Sequence, residues 1–335
     1  MQKPLVSILI PFKNTASFLS ECLTSIIEQT YSNWELIIVD DSSKDNSYGI
    51  VEQFALNEPR IKLLRNDGLG IIHALRTAYL AINGELVTRM DSDDIMTKNR
   101  LEWMVKALMK HGAGHLAVGQ VSYFSEFGIN NGYDRYEKWL NKLTSEGNNF
   151  SEIYKECVVP SPCWLVFKED FDKCGAFQSG IYPEDYDLTF RFYEYGLKCI
   201  PCNHVLHYWR DYDTRTSRTS EHYAQNYFLS LKLNYFFKLD YNRNQALVIW
   251  GAGNKGKNIA KYLIEKNIEF HWVCDNPKKI GKDIYGKELS HFEILNKIPN
   301  TQSIITVANE ESQKQIKTYF TSLNLESMKD YFFFC

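Results

Sequence analysis

Short apolar runs alternate with amphipathic segments along residues 1–90. The runs are rich in Val, Ile and Leu and too short to be helices, whereas the segments between them repeat apolar residues at the spacing of one helix face. Strands that alternate with helices favour right-handed crossovers and a parallel sheet. The predicted strands are residues 5–10, 35–39, 61–64 and 86–90, and the predicted helices are 18–27, 50–56 and 71–82.

The alternation is less regular after residue 90 and resumes at residue 246. The intervening chain predicts a helix at 99–110, a strand at 116–124, a polar stretch at 128–149, a strand at 164–167, a helix at 186–195 and an extended segment at 197–209. The second alternation gives strands at 246–250, 269–274 and 303–308 and helices at 255–266 and 310–323. We therefore predict two α/β domains, 1–220 and 246–335, joined by a helical connector and linker at 221–245.

The connector is densely aromatic between residues 226 and 241. Lys232 and Lys238 lie among Phe, Tyr and Leu residues, a composition also found in helices that lie in a membrane interface. Apolar side chains, however, occupy most of the helix circumference, and a helix that is apolar nearly all round is usually buried. We expect an interdomain helix, with at most weak peripheral membrane contact.

Composition predicts a globular protein with no strong charge preference. Of 335 residues, 44% are hydrophobic, and 38 Lys and Arg nearly balance 41 Asp and Glu for a net charge of −3. Nucleic acid is therefore not expected as a partner, since there is no basic surplus for a polyanion. The 8 scattered cysteines fit reduced thiols. No apolar run approaches the roughly 20 residues of a membrane-spanning helix, and no signal peptide is predicted. We expect a cytoplasmic protein, with the inner face of the membrane as the alternative location.

Acidic side chains follow two predicted strands and open a later helix. Asp41 follows the second strand, Asp91 and Asp93 follow the fourth, and Glu184 and Asp185 open the helix. The carboxyl ends of parallel strands form the ligand-binding edge of such a sheet. Asp91-x-Asp93 offers the hard oxygen ligands that Mg²⁺ and Mn²⁺ prefer. Asp residues also favour turns and helix caps, which would explain any one of these groups alone.

Four segments together resemble glycosyltransferases of family 2, which have the GT-A fold. They are V-S-I-L-I-P-F-K-N, W-E-L-I-I-V-D-D-S-S-K-D-N-S, R-M-D-S-D-D and P-E-D-Y-D-L-T-F-R-F, and the resemblance covers about residues 4–220. It implies that the first half of this region binds a nucleotide-sugar donor and the second half binds the acceptor. The expected fold class is α/β, with a GT-A nucleotide-diphospho-sugar transferase domain followed by a small Rossmann-like domain.

The resemblance also assigns the donor-site residues by position. Pro11 and Lys13 would flank the base, and Asp41 would hydrogen-bond the uracil of a UDP-sugar. Asp93, together with Asp91, would hold Mn²⁺ or Mg²⁺ on the diphosphate. The full set implied for the nucleotide-sugar is Pro11, Lys13, Asp41, Arg76, Asp91, Ser92, Arg210 and Arg215. A solvated basic loop is the alternative for the two last arginines.

The acceptor side implied by the resemblance contains the general base. Asp185 would take the proton of an acceptor hydroxyl, which attacks the anomeric carbon with inversion. Glu184 and Trp164 would contact the acceptor, although Glu184 fits equally well as a plain acid at a helix N-terminus. The implied reaction moves a sugar from a nucleotide-diphospho-sugar to a hydroxyl of a cell-surface glycan or lipid-linked acceptor. The oligomeric state is not indicated.

One departure from the family pattern concerns the metal site. Many relatives carry a Tyr-Arg-x-His segment after the catalytic helix, and its His can complete the metal ligands. Tyr212 stands at the His position here. The third ligand is therefore open between His207 and Asp211.

The second α/β domain begins with a glycine fingerprint. Gly251, Gly253 and Gly256 form G-x-G-x-x-G directly after a strand and at the start of a helix, and Asp275 stands at the end of the next strand. This context is typical of a nucleotide site in which the acid binds a ribose. It also resembles small Rossmann-like domains found beside sugar-modifying enzymes. Helix–strand packing without a nucleotide is the alternative.

Two other functions compete with glycosyl transfer. The glycine fingerprint is compatible with an NAD-dependent sugar oxidoreductase in which the first domain positions the substrate. A non-catalytic nucleotide-sugar sensor would retain the fold. The presence of Asp91, Asp93 and Asp185 argues against a sensor, because loss of these residues would be its simplest signature.

Overall fold

The chain folds into two compact units. The computed structural model describes residues 3–126, 128–178, 180–215, 218 and 227–335. The N-terminal unit comprises Met1–Phe150 and Val158–His222, and the C-terminal unit comprises Ser151–Cys157 and Tyr223–Cys335. The short segment Ser151–Cys157 thus belongs to the second unit although it lies within the first predicted domain.

A mixed eight-stranded sheet forms the centre of the N-terminal unit, with strand order β3-β2-β1-β4-β7-β6-β8-β5. The first four strands pair in parallel, as the sequence pattern predicts. Strand β7 then pairs antiparallel with both β4 and β6, and β5 pairs antiparallel with β8. The strands are β1 (Val6–Phe12), β2 (Trp34–Asp40), β3 (Ile61–Arg65), β4 (Leu86–Arg89), β5 (Ile95–Met96), β6 (His115–Phe124), β7 (Trp164–Phe167) and β8 (Lys198–Arg210).

Helices pack against this sheet and bury its apolar side chains in two clusters. Alternate residues of one strand enter different clusters: Ile8 and Ile10 of β1 join one, and Leu9 joins the other. Side chains that alternate across a strand explain this division. The helices are α1 (Ala16–Ile27), α2 (Ser47–Asn57), α3 (Ile71–Tyr79), α4 (Arg100–His111), α5 (Asn131–Glu146), α6 (Lys168–Lys173) and α7 (Glu184–Glu194).

Helix α5 corrects the polar stretch predicted at 128–149. The side chain of Asn130 accepts hydrogen bonds from the backbone N–H groups of Gly132 and Tyr133 at the N-terminus of the helix. Gly147 ends it in the left-handed conformation, with φ of 64°. Only Leu140, Leu143 and Thr144 are buried. Tyr133, Tyr136 and Trp139 are partly buried against the same core, so the helix has an apolar face, and its caps mark where it begins and ends.

The C-terminal unit contains a second, mostly parallel sheet with strand order β11-β12-β10-β9-β13-β14. Among the described strands of this unit, β11 alone pairs antiparallel, with β12. The strands are β9 (Ala246–Trp250), β10 (His271–Cys274), β11 (Asp283–Ile284), β12 (Lys287–His291), β13 (Thr301–Ile305) and β14 (Tyr331–Phe333). The helices are α8 (Tyr227–Tyr235), α9 (Asn254–Glu265) and α10 (Glu310–Ser322).

The aromatic connector packs into the C-terminal unit. Phe236, directly after α8, is fully buried and meets the rings of Tyr154, Phe332 and Phe334 edge to face. Tyr154 comes from the segment Ser151–Cys157 and stacks on Phe334 with ring centroids 5.1 Å apart. Burial of this kind stabilises a helix that is apolar over most of its surface. Residues 221–226 of the predicted connector lie outside the described residues. Within the described chain, no helix combines the length and apolar character needed to cross a membrane.

Candidate active site

The ends of β1 and β2 place Lys13 and Asp41 side by side. Asp41 is buried, and its Oδ1 accepts hydrogen bonds from Asn66 Nδ2 at 2.7 Å and from the Gly70 N–H at 3.0 Å. Its Oδ2 lies 3.2 Å from Lys13 Nζ. Pro11 is buried within β1 just before them. The structure therefore brings three of the predicted nucleotide residues together at one sheet edge.

Arg76 and Ser92 differ in their surroundings. Arg76 lies on the exposed side of α3, and within the described part of the chain it makes no ion pair. Ser92 is buried, and its hydroxyl lies 3.1 Å from that of Thr15. Ser92 thus ties the loop after β4 to the start of α1, whereas Arg76 is exposed on α3.

Three aspartates crowd the loop after β4. Asp91 Oδ1 accepts from Arg89 at 2.7 Å, Asp93 Oδ2 accepts from the Tyr212 hydroxyl at 2.8 Å, and Asp94 accepts from His207 Nε2 at 2.9 Å. Burial, with the charges of Asp94 and Asp91, raises the pKa of Asp93 to about 7. Burial also acts to raise the pKa of Asp91, but the Arg89 charge outweighs it and the net shift is downward.

His207 belongs to a buried network behind the aspartates rather than to an open metal site. Arg100 Nη1 lies 3.1 Å from His207 Nδ1. Because a guanidinium can only donate, Nδ1 accepts and the proton sits on Nε2, which donates to Asp94. Burial and the Arg100 charge lower the pKa of His207, so the ring is neutral. Asp211, the other candidate third ligand, is buried and paired with Arg218.

Arg89 links the aspartate loop to the start of helix α7. Its side chain is 3% exposed, and its Nη1 donates to Glu184 Oε1 at 2.9 Å while Nη2 donates to Asp91. Asp185 follows Glu184 in the first turn of α7. Burial and the neighbouring Glu184 charge raise the pKa of Asp185 to about 7. No role was predicted for Arg89. Its position in a buried strand, two residues before Asp91, could have marked it in the sequence as a site residue.

The two predicted diphosphate arginines have different roles in the structure. The Arg210 guanidinium donates to Glu21 and to the Asp93 carbonyl oxygen, and it lies over the rings of Phe18 and Phe124. Arg215 lies over the rings of Tyr123 and Trp209, and its charge acts on Asp93 and Asp94. Arg215 is thus the better-placed cation beside the aspartates, and Arg210 holds their loop.

Trp164 is a correction to the predicted acceptor residues. Its ring is 2% exposed and stacks on Phe171, with Phe192 edge to face. It therefore has almost no surface to offer an acceptor. The alternation of β7 turns this side chain into the core.

Among the described residues, the protein ligands that this site offers to a divalent cation are two carboxylates, those of Asp91 and Asp93. Across the described ranges, no group of three or more His, Cys, Asp or Glu side chains is arranged to hold a metal ion. Asp91 and Asp93 each have one oxygen engaged, by Arg89 and Tyr212. Within the described chain, their second oxygens have no hydrogen-bond partner. Hard oxygens on crowded, half-buried acids suit Mg²⁺ or Mn²⁺, with the remaining ligands coming from a diphosphate.

The glycine loop of the C-terminal unit connects β9 to helix α9. Gly251 has φ of +118°, and a Cβ on Gly256 would lie 2.1 Å from the Gly251 carbonyl oxygen. A Cβ on Gly253 would meet nothing within 4 Å, so this glycine faces open space. Asp275 is exposed after β10. The three glycines thus serve a tight turn, close helix–strand packing and an open face, which fit both a nucleotide loop and the packing alternative.

These features define a class of protein. A sheet with parallel strand ends that carry Asp41 and an Asp-x-Asp pair, next to a helix opened by acids, is the architecture of a GT-A nucleotide-sugar transferase. The chain belongs to glycosyl transferase family 2, whose sequence model matches residues 7–175, more than half of its length. This confirms the predicted family and the predicted α/β fold class.

Individual relatives agree with this assignment. Glycosyltransferase GlyG of Streptococcus pneumoniae is 28% identical over 62% of this chain and 70% of its own length. The UDP-Glc:alpha-D-GlcNAc-diphosphoundecaprenol beta-1,3-glucosyltransferase WfgD of Escherichia coli is 38% identical over 33% of this chain and 44% of its own. The chain thus spans less than half of WfgD. The crystal structure of S. aureus TarS 1-349 with UDP-GlcNAc shares the fold, with a TM-score of 0.56, 17% identity and coverage of 77% and 71% of the two chains.

Proposed function

We propose that this protein transfers a sugar from a UDP-sugar to a hydroxyl of a glycan or lipid-linked acceptor, with inversion at the anomeric carbon. One observation carries the proposal: Arg89 donates both to the donor-side Asp91 and to Glu184, which precedes Asp185 at the start of α7. Asp91 and the helix turn that carries Asp185 are therefore held next to each other, as a direct displacement requires.

The residues divide the chemical work between them. Asp185, with its pKa near neutrality, takes the proton from the acceptor hydroxyl as the oxygen attacks the anomeric carbon. The nucleoside diphosphate departs on the opposite face. Asp91 and Asp93 would hold Mn²⁺ or Mg²⁺, which supplies Lewis-acid stabilisation of the departing diphosphate. Arg215 adds a second positive charge beside the same acids.

Two features support uridine as the donor base. The Asp41 carboxylate is buried at the sheet edge with Lys13 beside it, and a carboxylate acceptor suits the N–H of uracil. WfgD and TarS are named with UDP-Glc and UDP-GlcNAc, respectively. The diphosphoundecaprenol in the name of WfgD likewise supports a lipid-linked acceptor. Such an acceptor would bring this chain to a membrane surface through weak peripheral contact.

The experiment is a donor screen with purified protein. UDP-, GDP- and dTDP-sugars are incubated with Mn²⁺, with and without a lipid-diphosphate-linked saccharide, and the released nucleoside diphosphate is measured. We expect acceptor-dependent release from a UDP-sugar only, and product NMR should show the inverted anomeric configuration. Release from no nucleotide-sugar, or retention of configuration, would contradict the proposal.

The glycine loop supports a second proposal, that the C-terminal unit binds a nucleotide without redox catalysis. The open face of Gly253 would let a pyrophosphate approach the start of α9, and Asp275 would bind the ribose. Calorimetry with NAD, ADP and UDP tests this on the intact chain. Gly253→Ala, whose added methyl group meets no protein atom, should abolish binding while the thermal midpoint stays unchanged. Equal affinity of the variant would place the nucleotide elsewhere.

A further inference from the structure

We infer that Arg89 is a positioning residue: its bonds to Asp91 and Glu184 hold the loop after β4 against the first turn of α7 and so set the arrangement of charged groups around the proposed general base. This inference rests on the proposed role of Asp185. Arg89 ends β4, and its guanidinium reaches Asp91 on one side and Glu184 on the other, at 2.7 and 2.9 Å. It touches neither the sugar nor the acceptor in this scheme, so it acts through the carboxylates that it holds.

The geometry depends on the shape of arginine. The two Nη atoms of Arg89 bond two different carboxylates, those of Asp91 and Glu184. Glu184 lies 95 residues after Arg89 in the chain, so the two carboxylates come from distant segments. A planar guanidinium holds both in one arrangement, whereas the compact lysine ammonium is a point charge without that fork. The Arg89 side chain is 3% exposed and its bond to Glu184 is buried, whereas the Asp91 side chain is 23% exposed. The loop after β4 and the first turn of α7 are therefore fixed to each other through one residue.

The same contacts place charge around Asp185. The charged groups that act on it are Glu184 from its own helix, Arg89 from β4 and Asp91 from the loop that follows. Glu184 and Asp91 disfavour its carboxylate form, and Arg89 favours that form. Removal of Arg89 and removal of the Glu184 charge must therefore displace the titration of Asp185 in opposite directions. A purely structural role for Arg89 would lower activity without that pattern.

The test compares Arg89→Met, Arg89→Lys and Glu184→Gln in pH profiles of kcat/KM. The acid limb of each profile, where kcat/KM falls at low pH, should move to higher pH by about one unit in Arg89→Met. It should move to lower pH by about one unit in Glu184→Gln. Arg89→Lys should keep the limb near its wild-type position, because the charge remains, yet lose at least ~10-fold in kcat, because the fork is gone. Arg243→Met and Glu169→Gln, both exposed, are the matched controls and should leave the profile unchanged.

Two results separate the inference from the proposed function. If Asp185→Asn retains near-normal turnover, Asp185 is not the base and the proposed mechanism fails. If Asp185→Asn is inactive but Glu184→Gln leaves the limb in place, the inference about Arg89 and its partners is overturned. Circular dichroism checks that each variant folds. If Arg89→Met unfolds, Arg89→Lys and Glu184→Gln still test the inference. Equal kcat values of Arg89→Lys and the wild type would also overturn it.

Discussion

The protonation of Asp185 should control the reaction rate near neutral pH. An aspartate carboxyl ordinarily titrates near ~3.9, and burial beside Glu184 raises the pKa of Asp185 to about 7. A general base must be deprotonated to act, so activity is present above pH 7 and is lost as the pH falls through it. Below the pKa, each pH unit removes about tenfold of the active carboxylate form, and hence of kcat/KM.

The corresponding variant is Asp185→Asn, which keeps the shape of the side chain but cannot accept a proton. We expect kcat to fall at least ~10²-fold, the lower end of what a general base contributes. The affinity for the nucleotide-sugar should stay within about threefold of the wild-type value. Asp185 lies on the acceptor side, so its loss should affect the chemical step rather than donor binding. The residual activity should show no acid limb near pH 7.

The assay follows nucleoside diphosphate release at limiting acceptor from about pH 5.5 to about pH 9, the range that brackets the expected limb. Asp134→Asn is the matched control, since Asp134 also lies in the first turn of a helix but, among the described residues, pairs with one exposed lysine. Its profile should equal that of the wild type. A flat wild-type profile, or the same limb persisting in Asp185→Asn, would refute the assignment of the base.

Other predictions follow from the two units. EDTA should abolish transfer, and Mn²⁺ or Mg²⁺ should restore it in the wild type but not in Asp93→Ala, because the second hard oxygen ligand is lost; full activity in EDTA would contradict this. Trp164→Ala should lower the free energy of unfolding in urea by about 3–5 kcal/mol, as expected for a buried aromatic side chain. The folded fraction of that variant should retain the acceptor KM, and a raised KM would restore Trp164 to the acceptor site. Gly256→Ala should lower the thermal midpoint of the C-terminal unit, because the added Cβ would lie 2.1 Å from a backbone oxygen, whereas an unchanged midpoint would show that the loop relaxes. Sedimentation with anionic liposomes should be weak and unaffected by Phe237→Ser, and strong sedimentation lost in that variant would indicate an interfacial helix instead.

Local patterns along the chain determined much of the fold. The first four strands of the N-terminal unit lie close to their predicted positions, since buried parallel strands are continuous apolar runs. Helix α5 was predictable in part, because Tyr133, Tyr136, Leu140 and Leu143 recur at helical spacing, although the polar residues between them give the segment a polar composition. The antiparallel insertion of β7 between β4 and β6 was not predictable, because strand partners distant in sequence leave no local pattern.

The site residues also divide into those that the sequence predicted and those that only the tertiary structure identified. Asp41, Asp91 and Asp93 were candidates from the sequence alone, because acids that follow parallel strands must meet at one edge of the sheet. Only the tertiary structure showed that Arg89 joins Asp91 to Glu184, since that bridge spans residues far apart in the chain. The tertiary structure also placed Trp164 in the core and showed the hydrogen bond between His207 and Asp94. Residue type limits what a side chain can do, but burial and partners come from the whole fold, and these decide its charge state and its access to a ligand.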